Sequence, residues 1–542
     1  MSRSLAVIVV LSLAPTSFAV AQHEGHAAAA GEKLGTVHFE TSCAPLVTAD
    51  FDRGVALLHS FEFRAAIESF NRVSGTDADC AMAHWGIAMA YWGNPFGGVR
   101  SSAALEQGLA AVAKARTTGS PTPRERAYID AVAALFTNHA TVSQRDRILA
   151  YERGMDAVVG AYPQDLEATI FYALAVNQTA LPTDKTYAPQ LKAAGILEPL
   201  FARYPDHPGL AHYIIHAYDH PPLAERALVA ARRYAAIAPS APHALHMPSH
   251  TFTRVGSWKE SAETNRMSEQ TALRQGVPTE ALHAMDYQAY AYLQMVQDRA
   301  ARDVIERLPA AAARFDPAAT AGGAAPPMAG YFALAAIPAR YALERGAWDE
   351  AARLEVPANG TPFTIAITHF ARAVGAARSG RPAAASGDLE RLAALREQLT
   401  QAQDAYWAEQ VDIQRRVASA WVAFAEGRRG EGLETLRSAA DSEDATDKSA
   451  VSPGPLAPAR ELLGEMLLEA GDAAGALAAF EASMMKEPGR FRGAFGAARA
   501  AEAGGDAAKA REYYARTIEI ARDADSPRPE IERAKGYLAS LR

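Results

Sequence analysis

The chain has 542 residues, of which 49% are hydrophobic and 21% charged, and its formal net charge is -8. That length exceeds one compact domain and suits two domains or one extended array. The acidic balance, with no run of Lys or Arg, excludes the usual basic faces of nucleic-acid and membrane-surface binders.

Residues 1–21 read as a signal peptide. Arg3 supplies the positive end, Leu5 to Leu13 form a short apolar stretch, and Ala19-Val20-Ala21 offers a small-x-small cleavage site. The mature chain is then expected to start at Gln22, to have no membrane span, and to be periplasmic or secreted. Residues 22–48 form an N-terminal extended segment, and its tail carries His23 and His26. In an oxidising compartment the two cysteines, Cys43 and Cys80, are expected to bridge. Closing that loop stabilises the fold by about 4 kcal/mol in the chain-entropy model.

A helical domain is expected over 49–308, opening with Gly54, Ala66 and Phe70 in RGVALLHSFEFRAAIESFNRV. Helical periodicity continues through Ala103 to Thr117 and Pro123 to Leu135. Tyr91 to Val99 is too rich in Gly, Pro and Asn for a helix, and Trp85, Trp92, Asn94 and Phe96 around it are candidates for an aromatic wall. Residues 309–330, with DPAATAGGAAPPMAG, read as a linker to a second helical domain at 331–542. A polar, Pro-rich loop is expected over 441–459, where Glu443, Asp444, Asp447 and Lys448 would place charge over a groove. No segment alternates with period 2, so almost no strand is expected.

Internal repetition names the fold. Gly471-Asp472, Ala476 and Phe480 recur as Gly505-Asp506, Ala510 and Tyr514, each displaced by 34 residues. A unit of this length is a helix-turn-helix that buries its apolar face only by stacking on neighbours. The pattern resembles the tetratricopeptide repeat (TPR), and implies an all-α solenoid in two halves with irregular inserts. Weaker units stand at Ala227-Ala231-Pro239, at Gly256-Ala262 and in RYALERGAWDEAARL. With CAMAHWGIAMAYWGNP, HYIIHAYDHP, HMPSHTFTRVG and ELLGEMLLEAGD, the chain is similar to large exported bacterial TPR proteins. That resemblance brings no settled activity with it.

Histidine departs from the ordinary. Seven of the 15 fall between His207 and His250. His212 and His216 are four apart, as are His246 and His250, and the pairs are 34 residues apart. Helical spacing puts each pair on one face. The TPR resemblance implies that both faces line the concave groove, together with His220. Four imidazoles from two helices suit a divalent transition metal such as Zn, Cu, Fe or Ni. His220, His243, His283, Asp286 and Tyr287 are candidates for further ligands or for groups behind them. Helical phase turns Asp219 away from His212 and His216. Pro248 is expected to kink the His246–His250 helix, and Pro221 to end the preceding one near Asp219.

Three readings follow from this pattern. One is a binding or scaffold protein with a histidine-lined metal site. Another is a metalloenzyme, hydrolytic or oxygen-using, on the same residues. The third is a metal-free solenoid holding a protein or peptide, its histidines bonded to tyrosines such as Tyr213 and Tyr218 or to carbonyls. HExxH, GxSxG, GxxxxGK[ST] and strand-led GxGxxG motifs are all missing, so no standard catalytic residue is named.

Overall fold

The C-terminal repeats show how the chain builds its layers. Helices Ala459–Glu469, Ala473–Lys486, Phe491–Ala503 and Ala507–Ile520 stack in antiparallel pairs. Gly471 and Gly505 turn each pair at φ 89° and 80°, a region costly for any side chain. Asp472 and Asp506 cap the next helices by accepting the backbone N–H of Gly475 and Lys509.

Phe480 is buried between Gly464 and Gly496. A Cβ at those glycines would lie 2.9 and 2.3 Å from its ring. Phe70 occupies the equivalent slot between Gly54 and Gly86, with corresponding distances of 2.7 and 2.4 Å. One aromatic ring wedged between two glycines thus locks three successive helices at both ends of the chain. Each such ring contributes about 1.5–3 kcal/mol by burial.

This arrangement comes from a computed structural model that describes residues 31–317 and 323–541. The protein is an all-α helical solenoid, with no strand among the described residues. The signal peptide expected at 1–21, and His23 and His26, lie outside the described residues. No helix among those described is long and apolar enough to cross a membrane. Cys43 and Cys80 form a disulfide that ties the extended segment to the start of helix Ala81–Trp92.

Two expected interruptions are shorter than their composition suggests. Helix Asp298–Ala312 runs through Pro309 and helix Pro327–Glu344 starts inside the anticipated linker. The Pro-rich loop begins only at residue 446, because Asp441–Ala445 continue helix Arg429–Ala445. Leu34–Arg542 forms a single unit. Buried arginines join its two halves. Arg490 donates to Tyr290 at 2.8 Å, Glu344 at 2.7 Å and Glu461 at 3.0 Å. Arg340 bonds Asp286 at 3.0 Å and the Gly454 and Pro455 carbonyls at 2.8 Å each, holding the 446–458 loop against helix Pro278–Gln294.

Candidate metal centre

Proline at the first turn opens each helix that carries the histidines. Pro208–Ala217 presents His212 and His216 with ring centroids 4.8 Å apart. Pro248 divides the next helix into Pro242–His246 and Pro248–Val255, because its nitrogen cannot donate. Met247 between them keeps helical dihedrals (φ -56°, ψ -34°), so His246 and His250 stay on one side, with their Nε2 atoms 3.1 Å apart. Helix Pro278–Gln294 adds His283 and Tyr287.

The imidazoles sort into two triads. His212, His216 and His243 form one, and His246, His250 and His283 the other; within each, the potential ligand atoms lie within 4.8 Å of one another. The four histidines singled out by spacing are therefore divided between two clusters, and His243 and His283 complete them. Across the boundary, the His243 and His246 ring centroids are 6.0 Å apart.

The hydrogen bonds behind the rings fix their tautomers. Asn265 donates through Nδ2 to the Ser261 carbonyl at 2.7 Å, which turns its Oδ1 toward His246 Nδ1, also at 2.7 Å. An amide oxygen only accepts, so His246 carries its proton on Nδ1. His250 Nδ1 lies 2.8 Å from Asp219 Oδ2 and donates to that carboxylate. Both Nε2 atoms then present lone pairs to each other, a contact that repels unless a cation lies between them. Tyr287 Oη is 3.3 Å from His250 Nε2 but donates to the nearer Ser452 carbonyl at 3.1 Å. In the first triad, His212 Nδ1 donates to the His59 carbonyl at 2.6 Å, and its Nε2 faces His243 Nε2 at 3.1 Å.

Electrostatics keep these rings neutral and ready to ligate. Burial brings His212 and His283 down to about 3, and holds His216, His243 and His246 well below the usual range. Burial also lowers His250, outweighing the opposing pull of Asp219. For Asp219, burial pushes up, but Lys448, Arg254 and His250 prevail and leave it ionised. Burial brings Lys448 itself down to about 8.

The triads border a partly open cavity of about 180 Å³. His216, His243, His250 and His283 line it together with Phe96, Trp407 and Val451, and Phe96 stacks on His216 with ring centroids 4.3 Å apart. Residues 449–451 of the 446–458 loop and residues 324–326 also line it. Of the proposed aromatic wall, Asn94 and Phe96 border the cavity, whereas Trp85 and Trp92 are buried in the core.

Other singled-out residues lie elsewhere. His220, past its helix end, sits beside Asp447 and Gln190. Asp286 turns toward Arg340, and burial raises its carboxyl to about 6 despite that partner. Asp219 reaches His250 of the following unit, because the chain leaves its helix at Ala217 and the helical phase no longer applies. Sequence reasoning missed Asn265, Trp407, Glu62 and Glu280. Only the placement of Asn265 in the second helix of the His246 unit hinted at a role.

A third cluster, His59, Glu167 and His207, is a buried hydrogen-bond network in which only His207 Nδ1 lacks a partner. Glu167 accepts from His59 Nε2 at 2.8 Å and His207 Nε2 at 2.9 Å, and His59 Nδ1 lies 2.9 Å from the Tyr213 hydroxyl. These histidines act as polar links between packed helices.

No protein family and no curated protein matches the chain in sequence. Among solved structures it is similar to IFIT1, as a monomeric mutant with Gppp-AAAA. The identity is 10% and the TM-score 0.39, over 88% of this chain and 97% of that one. The likeness is too distant to bring any binding property to this chain.

Proposed function

We propose that this chain is an extracytoplasmic TPR-like protein that binds a divalent transition metal ion through His246, His250 and His283. One observation carries the reading. His246 and His250 have both Nδ1 protons committed, to Asn265 and Asp219, and oppose bare Nε2 atoms at 3.1 Å. With metal–nitrogen bonds of about 2.0–2.1 Å, two ligands of one ion stand about 2.9 Å apart at right angles and about 3.3 Å apart in a tetrahedron. The observed spacing falls between the two.

An all-imidazole set suits Zn, Cu, Fe or Ni, and the disulfide and the exported-TPR motifs support a location outside the cytoplasm. The cavity beside the triad favours a second reading on the same residues. Three protein ligands with an open position toward that space is the pattern of catalytic rather than structural metal sites, so a metalloenzyme fits as well.

The test is elemental analysis of the mature chain after loading with each metal and removing excess, with His246→Ala/His250→Ala as the control. Stoichiometric metal in the wild type, with one equivalent lost in the double variant, supports the proposal. Wild-type protein that retains none of the four metals sinks it.

A further inference from the structure

We infer that the first triad, His212, His216 and His243, holds a second divalent transition metal ion, so that two ions share the wall of one cavity. This rests on the reading of the first ion. It is carried by a parallel between the two clusters that their sequences do not announce.

Each triad has one ring anchored through Nδ1 to an uncharged oxygen, namely the His59 carbonyl behind His212 and Asn265 Oδ1 behind His246. Each has a second ring backed by an acidic side chain, half-buried Asp219 in one case and buried Glu280 in the other. Asp219 accepts from His250 Nδ1 at 2.8 Å, and Glu280 Oε2 lies 4.0 Å from His243 Nδ1. The Nε2 atoms of those two rings are 3.1 Å apart in both triads. The third ring supplies a buried nitrogen with no hydrogen-bond partner, Nε2 of His216 in one case and Nδ1 of His283 in the other.

In the first triad, His243 Nδ1 and Glu280 Oε2 are both buried and without partners. A proton on His243 Nε2 would satisfy the contact with His212 but leave both of these atoms unpaired, whereas a cation on the two Nε2 atoms accounts for all four groups. It fixes the His243 proton on Nδ1, facing Glu280, in the carboxylate–histidine–metal order common behind protein metal ligands. Glu62 supports the same ring by accepting the His243 backbone N–H at 3.2 Å. Asp219 and Glu280, behind the two triads, are acidic groups that can offset part of the charge that two ions bring into the interior.

Both triads open on the same space. His216 and His243 from one, and His250 and His283 from the other, border the 180 Å³ cavity. An apolar cavity of about 150 Å³ admits benzene, so this space has room for a molecule of about one aromatic ring.

The deciding experiment is native mass spectrometry of the mature chain after loading with copper and, separately, zinc, followed by gel filtration. Two ions per wild-type chain are expected. One should remain in His243→Asn and one in His283→Asn, with none when both are changed. A wild-type count of one overturns the inference, as does loss of all metal in either single variant; a single ion kept in His243→Asn and lost in His283→Asn leaves the first ion in place. A wild-type count of zero refutes the metal-binding reading itself. The wild-type count decides without the variants if they fail to fold.

Discussion

Asn265 dictates which nitrogen of His246 is bare. Its amide nitrogen is spent on the Ser261 carbonyl, so only its oxygen faces His246 Nδ1, and that ring has one tautomer available. Replacing Asn265 with Leu frees the ring to protonate on either nitrogen. Metal affinity should fall by about 10–100-fold with the same number of ions bound at saturation. Competition against a chromophoric chelator would measure this, and an unchanged affinity would remove Asn265 from the site.

Asp219 joins two positive groups as well as His250. Arg254 Nε bonds it at 3.0 Å, and half-buried Lys448 acts on it electrostatically. Asp219→Ala leaves those cations without their counter-charge. We expect a loss of about 3 kcal/mol in urea unfolding of the metal-free chain, against about 1 kcal/mol or less for an exposed pair.

The wedged aromatic ring makes two opposite substitutions harmful. Phe480→Ala should cost about 3–5 kcal/mol through the cavity it leaves. Gly496→Ala should cost about 1–3 kcal/mol through overpacking, since the added Cβ would meet the ring at 2.3 Å. If Gly496→Ala proves neutral in thermal melts, the ring has room to move and the helix spacing is not fixed there.

Acid should weaken the His59–Glu167–His207 network. Burial pushes the Glu167 carboxyl up, but His207 and His59 outweigh it and bring it down to about 2, from an ordinary 4.5. A depressed carboxyl stabilises the fold fully above its unfolded value, and that contribution is lost as pH falls toward the folded one. Urea midpoints should therefore drop between pH 4.5 and 2, and Glu167→Gln should flatten that part of the profile. An identical profile in the variant would contradict the assignment.

The repeat was legible because Gly471, Ala476 and Phe480 do local work at fixed spacing, and their copies do the same work 34 residues on. The histidine pairs were legible for the same reason. Their partition into triads was not, since whether His243 joins His212 or His246 depends on rotamers and on the offset between stacked helices. Asp219 escaped because helical phase says nothing past a helix end. Trp407 and Val451 escaped because contacts to a loop more than a hundred residues away leave no periodic trace.

The cavity's walls are drawn from distant parts of the chain, Phe96 near one end, the histidines in the middle and Val451 toward the other. A chain that emerges from its N-terminus exposes all six triad histidines before it has the loop that lines the cavity beside them. Cations would then meet the imidazoles as open, weakly organised ligands, and the cavity would be complete only when the last third of the protein docks. If the proposed ions bind, order of assembly as well as affinity would govern which metal is trapped.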